Sequence, residues 1–186
     1  MNKIVKLTLI LFLISAIVAG ILGGVYIVTK DPIAENNAKV TREAYAAVMP
    51  EGVQIDPLKS VDIGETVDKN GASITLVKYT VAEDGKTYVV EAETSGSQGK
   101  VLTAIGVDAE TGTCTGIAIV SSSETSGLGA EASKPYFKDQ LVGTDPSTCL
   151  ITKEGGTVEA ISGATITSKA VTRSVAAAID FVANLG

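Results

Sequence analysis

Between Leu7 and Thr29 the chain reads LTLILFLISAIVAGILGGVYIVT, twenty-three residues without a charge. As a helix this run is about 35 Å long, enough to cross a hydrocarbon core of about 30 Å with some tilt. The apolar part of a cleaved signal peptide is shorter, about 7–15 residues, and no Cys directly follows the run for lipid attachment. The spacing therefore predicts an uncleaved, single-pass anchor in the cell membrane. Lys3, Lys6 and the α-amino group stand on one side, Lys30, Lys39 and Arg42 on the other, a nearly even balance of cations. The shorter tail, residues 1–6, is expected to stay in the cytoplasm, which places residues 31–186 on the extracytoplasmic side.

Composition removes several chemistries. The chain has no histidine and two cysteines, Cys114 and Cys149. Two lone thiols cannot supply the four ligands of an iron–sulfur cluster, and a zinc site built on His or Cys is equally excluded. A Ser-His-Asp or Cys-His nucleophile lacks its base. The cysteines are either buried free thiols or, in an oxidising compartment, one disulfide. All 21 acidic residues and 13 of the 15 basic ones lie from Lys30 onward, a balance of −8 for that part. An acidic, aromatic-poor surface argues against a nucleic-acid partner.

Beyond the anchor, Asp31-Pro32 opens a polar helix, with Pro at a first-turn position where it is tolerated. Its apolar residues are Ile33, Val40, Ala44, Ala47 and Val48, and it stops at Pro50. From Ala72 the period switches to two. ASITLVKYTV and KTYVVEAE are expected as strands joined by the hairpin signal Ala82-Glu83-Asp84-Gly85. KVLTAIGVD and CTGIAIVSS repeat the arrangement around Glu110-Thr111-Gly112. SGSQGK, residues 95–100, is a Gly-rich loop, and KPYFKDQLVG a short helix. A final helix runs from Thr165 or Ile166 to Leu185, with Val171, Val175, Ala178, Ile179 and Val182 on one side. The class is α+β, antiparallel strands bracketed by helices.

Two stretches carry chemistry. SETSGLGA, Ser123 to Ala130, follows the last strand directly. ISGATITSKAV, Ile161 to Val171, opens the last helix with four hydroxyls, Ser162, Thr165, Thr167 and Ser168, around Gly163-Ala164. One hydroxyl suffices to cap a helix. Alone, the first stretch reads as a loop and the second as a cap. Together, in a chain with one N-terminal membrane segment, ETSGLG and SGATITSKAV resemble the FMN-binding domain family. Within it they look like the G subunits of Rnf-type (Rsx-type) complexes, membrane-bound ferredoxin:NAD⁺ oxidoreductases that pump ions. The C subunit of Na⁺-translocating NADH:quinone oxidoreductase belongs to the sister branch.

The resemblance implies a transmembrane helix (7–29), a linker helix and connecting segment (30–70), and an antiparallel FMN-binding domain with flanking helices (71–186). It implies FMN joined through its phosphate to the Thr of Ser/Thr-Gly-Ala-Thr, here Thr165, by a separate flavin transferase using FAD and Mg²⁺. Ser162, Gly163 and Ala164 would leave room beside that hydroxyl, and Thr167 and Ser168 would add donors. Lys169 and Arg173, four and eight residues on, share a face with Thr165 and are expected to neutralise the phosphate. Glu124 and Thr125 are expected at the isoalloxazine edge or ribityl chain, Gly127 and Leu128 against the ring, and Ser97–Lys100 nearby. Three departures from the family pattern stand out: Glu159 in place of Asp, Ser126 in place of Pro, and no His in the region of Ser122 and Ser123. No catalytic residue and no metal ligand is expected of this chain. A Thr hydroxyl is a poor nucleophile unaided, so activation falls to the transferase.

The expected function is electron transfer within an Rnf-type complex coupled to Na⁺ or H⁺ movement, with the other Rnf subunits as partners. Two rivals remain at this point. One is an extracytoplasmic covalent-flavin carrier serving another reductase chain. The other is a non-redox, membrane-anchored binding or scaffold domain whose hydroxyl-rich stretch is only a cap.

Overall fold

The computed structural model describes residues 3–124 and 129–185. Helix α1, Lys3–Val48, is continuous through Pro32, where the sequence pattern predicts two helices. Pro32 lacks an N–H, so the carbonyl four residues earlier loses its intrahelical partner, but the helix does not end there. The chain divides into two compact units, residues up to Val40 and residues from Thr41. The first is helical, and its large apolar side chains are exposed, from Ile4 and Phe12 to Val28 and Ile33. It is long and apolar enough to cross a membrane.

The second unit is built on a five-stranded antiparallel meander in the order β1 to β5: Val61–Lys69, Ala72–Val81, Thr87–Ser95, Lys100–Asp108 and Thr113–Ser122. Strands β2 to β5 fall where period-two alternation places them. Strand β1 lies in the stretch that the sequence reads as a connecting segment. It is an edge strand whose residues are mostly exposed; only Ile63 and Val67 pack on the core, and Glu65, opposite buried Leu76, interrupts their alternation beside a bulge. Its turn to β2 is Asn70-Gly71, both at positive φ (51° and 77°), the conformation that two-residue hairpins favour.

Each face of the sheet buries a helix. On one face Ile74, Val90, Ile105 and Ile117 pack with Val171, Val175 and Ile179 of α3, Thr165–Ala183. The five apolar residues foreseen on one side of this helix are all buried. On the other face the last turns of α1 bring Ala44, Tyr45 and Val48 onto Val89, Ala104 and Ala118. Beneath them Lys78 pairs with the buried Glu91 at 3.2 Å and lies 5.9 Å from the centre of the Tyr45 ring. Burial, with Glu91 beside it, pushes the Tyr45 phenol well above its ordinary value.

Between β5 and α3 the chain forms short helical turns, among them α2, Pro135–Lys138, and a parallel bridge between Ile151 and Val158. Cys149 donates from its thiol to the carbonyl of Thr172 at 3.2 Å. Cys114 and Cys149 are both buried and free.

Candidate functional site

The stretch that opens α3 is a tight turn followed at once by helix. Ala164 N–H donates to the carbonyl of Ile161 at 3.0 Å. Gly163 takes φ 78°, as the third position of a type II turn requires. Ser168 Oγ closes the turn from inside the helix: it donates to Ala164 C=O at 3.0 Å and accepts from Ile161 N–H at 2.9 Å. Thr167 Oγ1 donates to Glu124 Oε2 at 3.1 Å. Both side chains are fully buried.

Two of the four hydroxyls are therefore structural. The other two, on exposed Ser162 and half-buried Thr165, make no hydrogen bond among the described residues. Thr165 is the first helical residue, the N-cap is Ala164, and no side chain caps the helix. The crowd of hydroxyls is not a cap. The first-turn N–H groups, which a cap would satisfy, receive no side-chain partner of that kind.

Glu124, just after β5, reaches across to the loop between β3 and β4. Its Oε1 accepts from Gln98 N–H at 3.0 Å and Gly99 N–H at 3.1 Å. Burial pushes its carboxyl up, but these two bonds and the one from Thr167 outweigh that and hold it below the usual glutamate range. The expectation that Glu124 faces the flavin sits beside this geometry: both oxygens already carry intramolecular bonds. Thr125, Gly127 and Leu128, with Ser126, lie outside the described residues. Ser122 and Ser123 are exposed, and Ser122 Oγ accepts from Glu124 N–H at 3.2 Å.

Along α3, Lys169 and Arg173 both point to Glu154 Oε1, at 2.9 and 2.8 Å. Sequence reasoning missed Glu154 because it arrives from a separate helical turn, Thr152–Glu154. The same two cations also line a groove of about 260 Å³, together with Gly71, Ser73, Thr94 and Ile166. The buried Thr94 hydroxyl and Arg173 Nε have no hydrogen-bond partner there. Ile166 is 60% exposed. Glu159, also exposed, donates from its N–H to Gln140 at 2.7 Å.

Residues 96–180 match the model of the FMN-binding domain, and residues 1–48 match that of the RnfG N-terminal region. The chain is 33% identical to the G subunit of the ion-translocating oxidoreductase complex of Methanosarcina acetivorans, over 97% of this chain and 95% of that one. It is 36% identical to the G subunit of the Na⁺-translocating ferredoxin:NAD⁺ oxidoreductase complex of Acetobacterium woodii, over 97% and 92%. The crystal structure of the C subunit of Na⁺-translocating NADH-quinone reductase from Parabacteroides distasonis shares the fold, with a TM-score of 0.53 and 23% identity over 80% of this chain and 92% of that one. With an FMN-binding domain, an apolar N-terminal helix and relatives aligned along nearly their whole length, the chain belongs to the family of G subunits of ion-translocating oxidoreductase complexes.

Proposed function

We propose that this protein holds FMN covalently, through a phosphoester to Thr165 Oγ1, and relays electrons on the extracytoplasmic side of the membrane. Its electron-transfer role in an ion-translocating oxidoreductase follows from the family. The observation that carries the finer reading is the state of the hydroxyls: Thr167 and Ser168 are committed to the fold, while Thr165 stands uncommitted at an uncapped helix start.

The residues fit the group. A phosphodiester on Thr165 adds a negative charge at the positive end of a nineteen-residue helix, where free N–H groups bind anions. Exposed Ser162 and Gly163 and the small Ala164 leave a transferase access to the hydroxyl. Lys169 and Arg173 are within the first three turns, and their pairing with Glu154 holds them in place beside the site. In attachment the Thr165 oxygen bonds to the FMN phosphorus of FAD, the pyrophosphate link breaks, AMP leaves, and the hydroxyl proton passes to the Mg²⁺-dependent transferase. Once bound, the flavin supplies one- and two-electron chemistry. The covalent link retains it outside the cytoplasm, where free FMN would be lost.

The electron partners are the other Rnf-type subunits. The coupled ion, Na⁺ or H⁺, crosses the bilayer through those membrane partners. Co-expression with a flavin transferase tests the attachment: the wild type and Ser162→Ala retain yellow colour after acid precipitation, and Thr165→Ala loses it. Colour kept in Thr165→Ala, or lost in Ser162→Ala alone, contradicts the reading.

A further inference from the structure

We propose that Glu124 is a positioning residue of the flavin-bearing turn, acting through Thr167 and the loop between β3 and β4 instead of touching the cofactor. This rests on Thr165 being the point of flavin attachment. A carboxylate accepts at about four lone-pair sites, and three are used here, by Gln98 N–H, Gly99 N–H and Thr167 Oγ1. These contacts bring together three parts of the chain that are remote in sequence, the partners lying 26, 25 and 43 residues from Glu124.

The loop is shaped for this carboxylate. A Cβ on Gly96 would lie 2.2 Å from Glu124 Oε1, and one on Gly99 would lie 2.6 Å from Ser123 C=O. Gly96 N–H closes the same loop onto Gly99 C=O at 2.8 Å. The glycines of SGSQGK therefore serve close approach by Glu124. At the other end, Thr167 is fully buried and two residues after Thr165. Its bond to Glu124 fixes the first turn of α3 from the sheet side, while Ser168 fixes it from the turn side. The helix start has no cap of its own, so these two ties set where Thr165 points. The site is thus ordered before any flavin arrives.

Gln at position 124 preserves this geometry. Its carbonyl oxygen still accepts both amides, and its NH₂ donates to Thr167 Oγ1, whose hydroxyl rotates to accept. Ala removes every tie.

The experiment uses the full chain in detergent, flavin-free and flavin-loaded, as wild type, Glu124→Ala, Glu124→Gln, Thr167→Val and the double variant Glu124→Ala/Thr167→Val. Hydrogen exchange of amides 97–99 and 168–171, the latter being the first bonded amides of α3, is read on the flavin-free protein, and flavin occupancy at limiting transferase by intact mass. Glu124→Ala is expected to speed exchange in both segments by about tenfold, the scale of losing hydrogen bonds to a charged group, and to lower occupancy. Glu124→Gln should stay close to wild type in both readouts. The double variant should exchange at 168–171 no faster than Glu124→Ala alone. Three results would overturn the proposal: Glu124→Ala freeing 97–99 but leaving 168–171 unchanged, Glu124→Gln behaving like Glu124→Ala, or fully additive effects in the double variant. Absence of flavin from Thr165 in the wild type sinks the attachment reading alone, because the exchange measurements need no flavin.

Discussion

The hydroxyl of Thr115 donates to the carbonyl of Val48 at 2.7 Å, at the point where α1 ends on the sheet. The contact sits over Gly106 and Gly116, which face each other across β4 and β5. A Cβ on Gly106 would lie 2.2 Å from Thr115 Oγ1 and 2.5 Å from Val48 C=O, and one on Gly116 would lie 3.1 Å from Val48 Cα. The glycine pair is what lets the helix end approach the strands. Gly106→Ala is therefore expected to destabilise the domain by about 1–3 kcal/mol, the scale of overpacking, and Gly116→Ala by less. Thr115→Val should cost about 1 kcal/mol for the lost bond. Thermal melts of the three variants check the order.

Gly163 is held at φ 78°. Gly163→Ala therefore introduces backbone strain of about 1–2 kcal/mol, the cost of an L-residue in the left-handed region. The strain falls on the turn that presents Thr165, so flavin occupancy should drop at limiting transferase while the melting temperature falls by only a few degrees. Full occupancy in this variant would show that the turn's shape does not matter to attachment.

Lys169 first, and Arg173 with it, hold the Glu154 carboxyl below its ordinary value of 4.5 against the opposing effect of burial. A depressed folded value means that the stabilisation is fully present above the unfolded value and is lost as pH falls through the folded one. The difference in melting temperature between wild type and Glu154→Gln should thus be largest above about pH 5 and shrink in more acid solution. A difference that stays constant down to about pH 3, well below the unfolded value, would mean that the pair contributes through packing and not through charge.

Burial raises the thiols of Cys114 and Cys149 to about 12, with Cys149 adding to the effect at Cys114. Only the thiolate reacts quickly with electrophiles. Neither cysteine should be alkylated in the native protein at neutral pH, and both should be alkylated after unfolding without reductant. Mass spectrometry after labelling reads both outcomes, and a requirement for reductant would reveal a disulfide.

Much of the fold was legible because alternation and turn chemistry are local. Strands β2 to β5 announce themselves by period-two apolar residues and by hairpin turns such as Asp84-Gly85, where the Asp84 carboxylate accepts from the N–H groups of Lys86 and Thr87. Strand β1 was not legible, since its alternation of Ile63 and Val67 with Asp62 and Asp68 is broken by Glu65 and a bulge. Pro32 reads as a helix start, yet it stands inside α1. Of the site, the start of α3 at Thr165 or Ile166 could be read from spacing, whereas the hydroxyl-rich stretch before it reads alone as a cap and is a turn. The destinations of the side chains could not be read. Glu124, Thr167 and Gly99 meet only in three dimensions, as do Glu154 and Arg173, and nothing periodic marks such pairs.

The most direct test is peptide mapping of the protein isolated from its native host, with fragmentation that localises the added mass. The peptide spanning Ser162 to Lys169 should carry one FMN phosphoester, on Thr165. The same peptide recovered unmodified, or with the flavin on Ser162, would contradict the account.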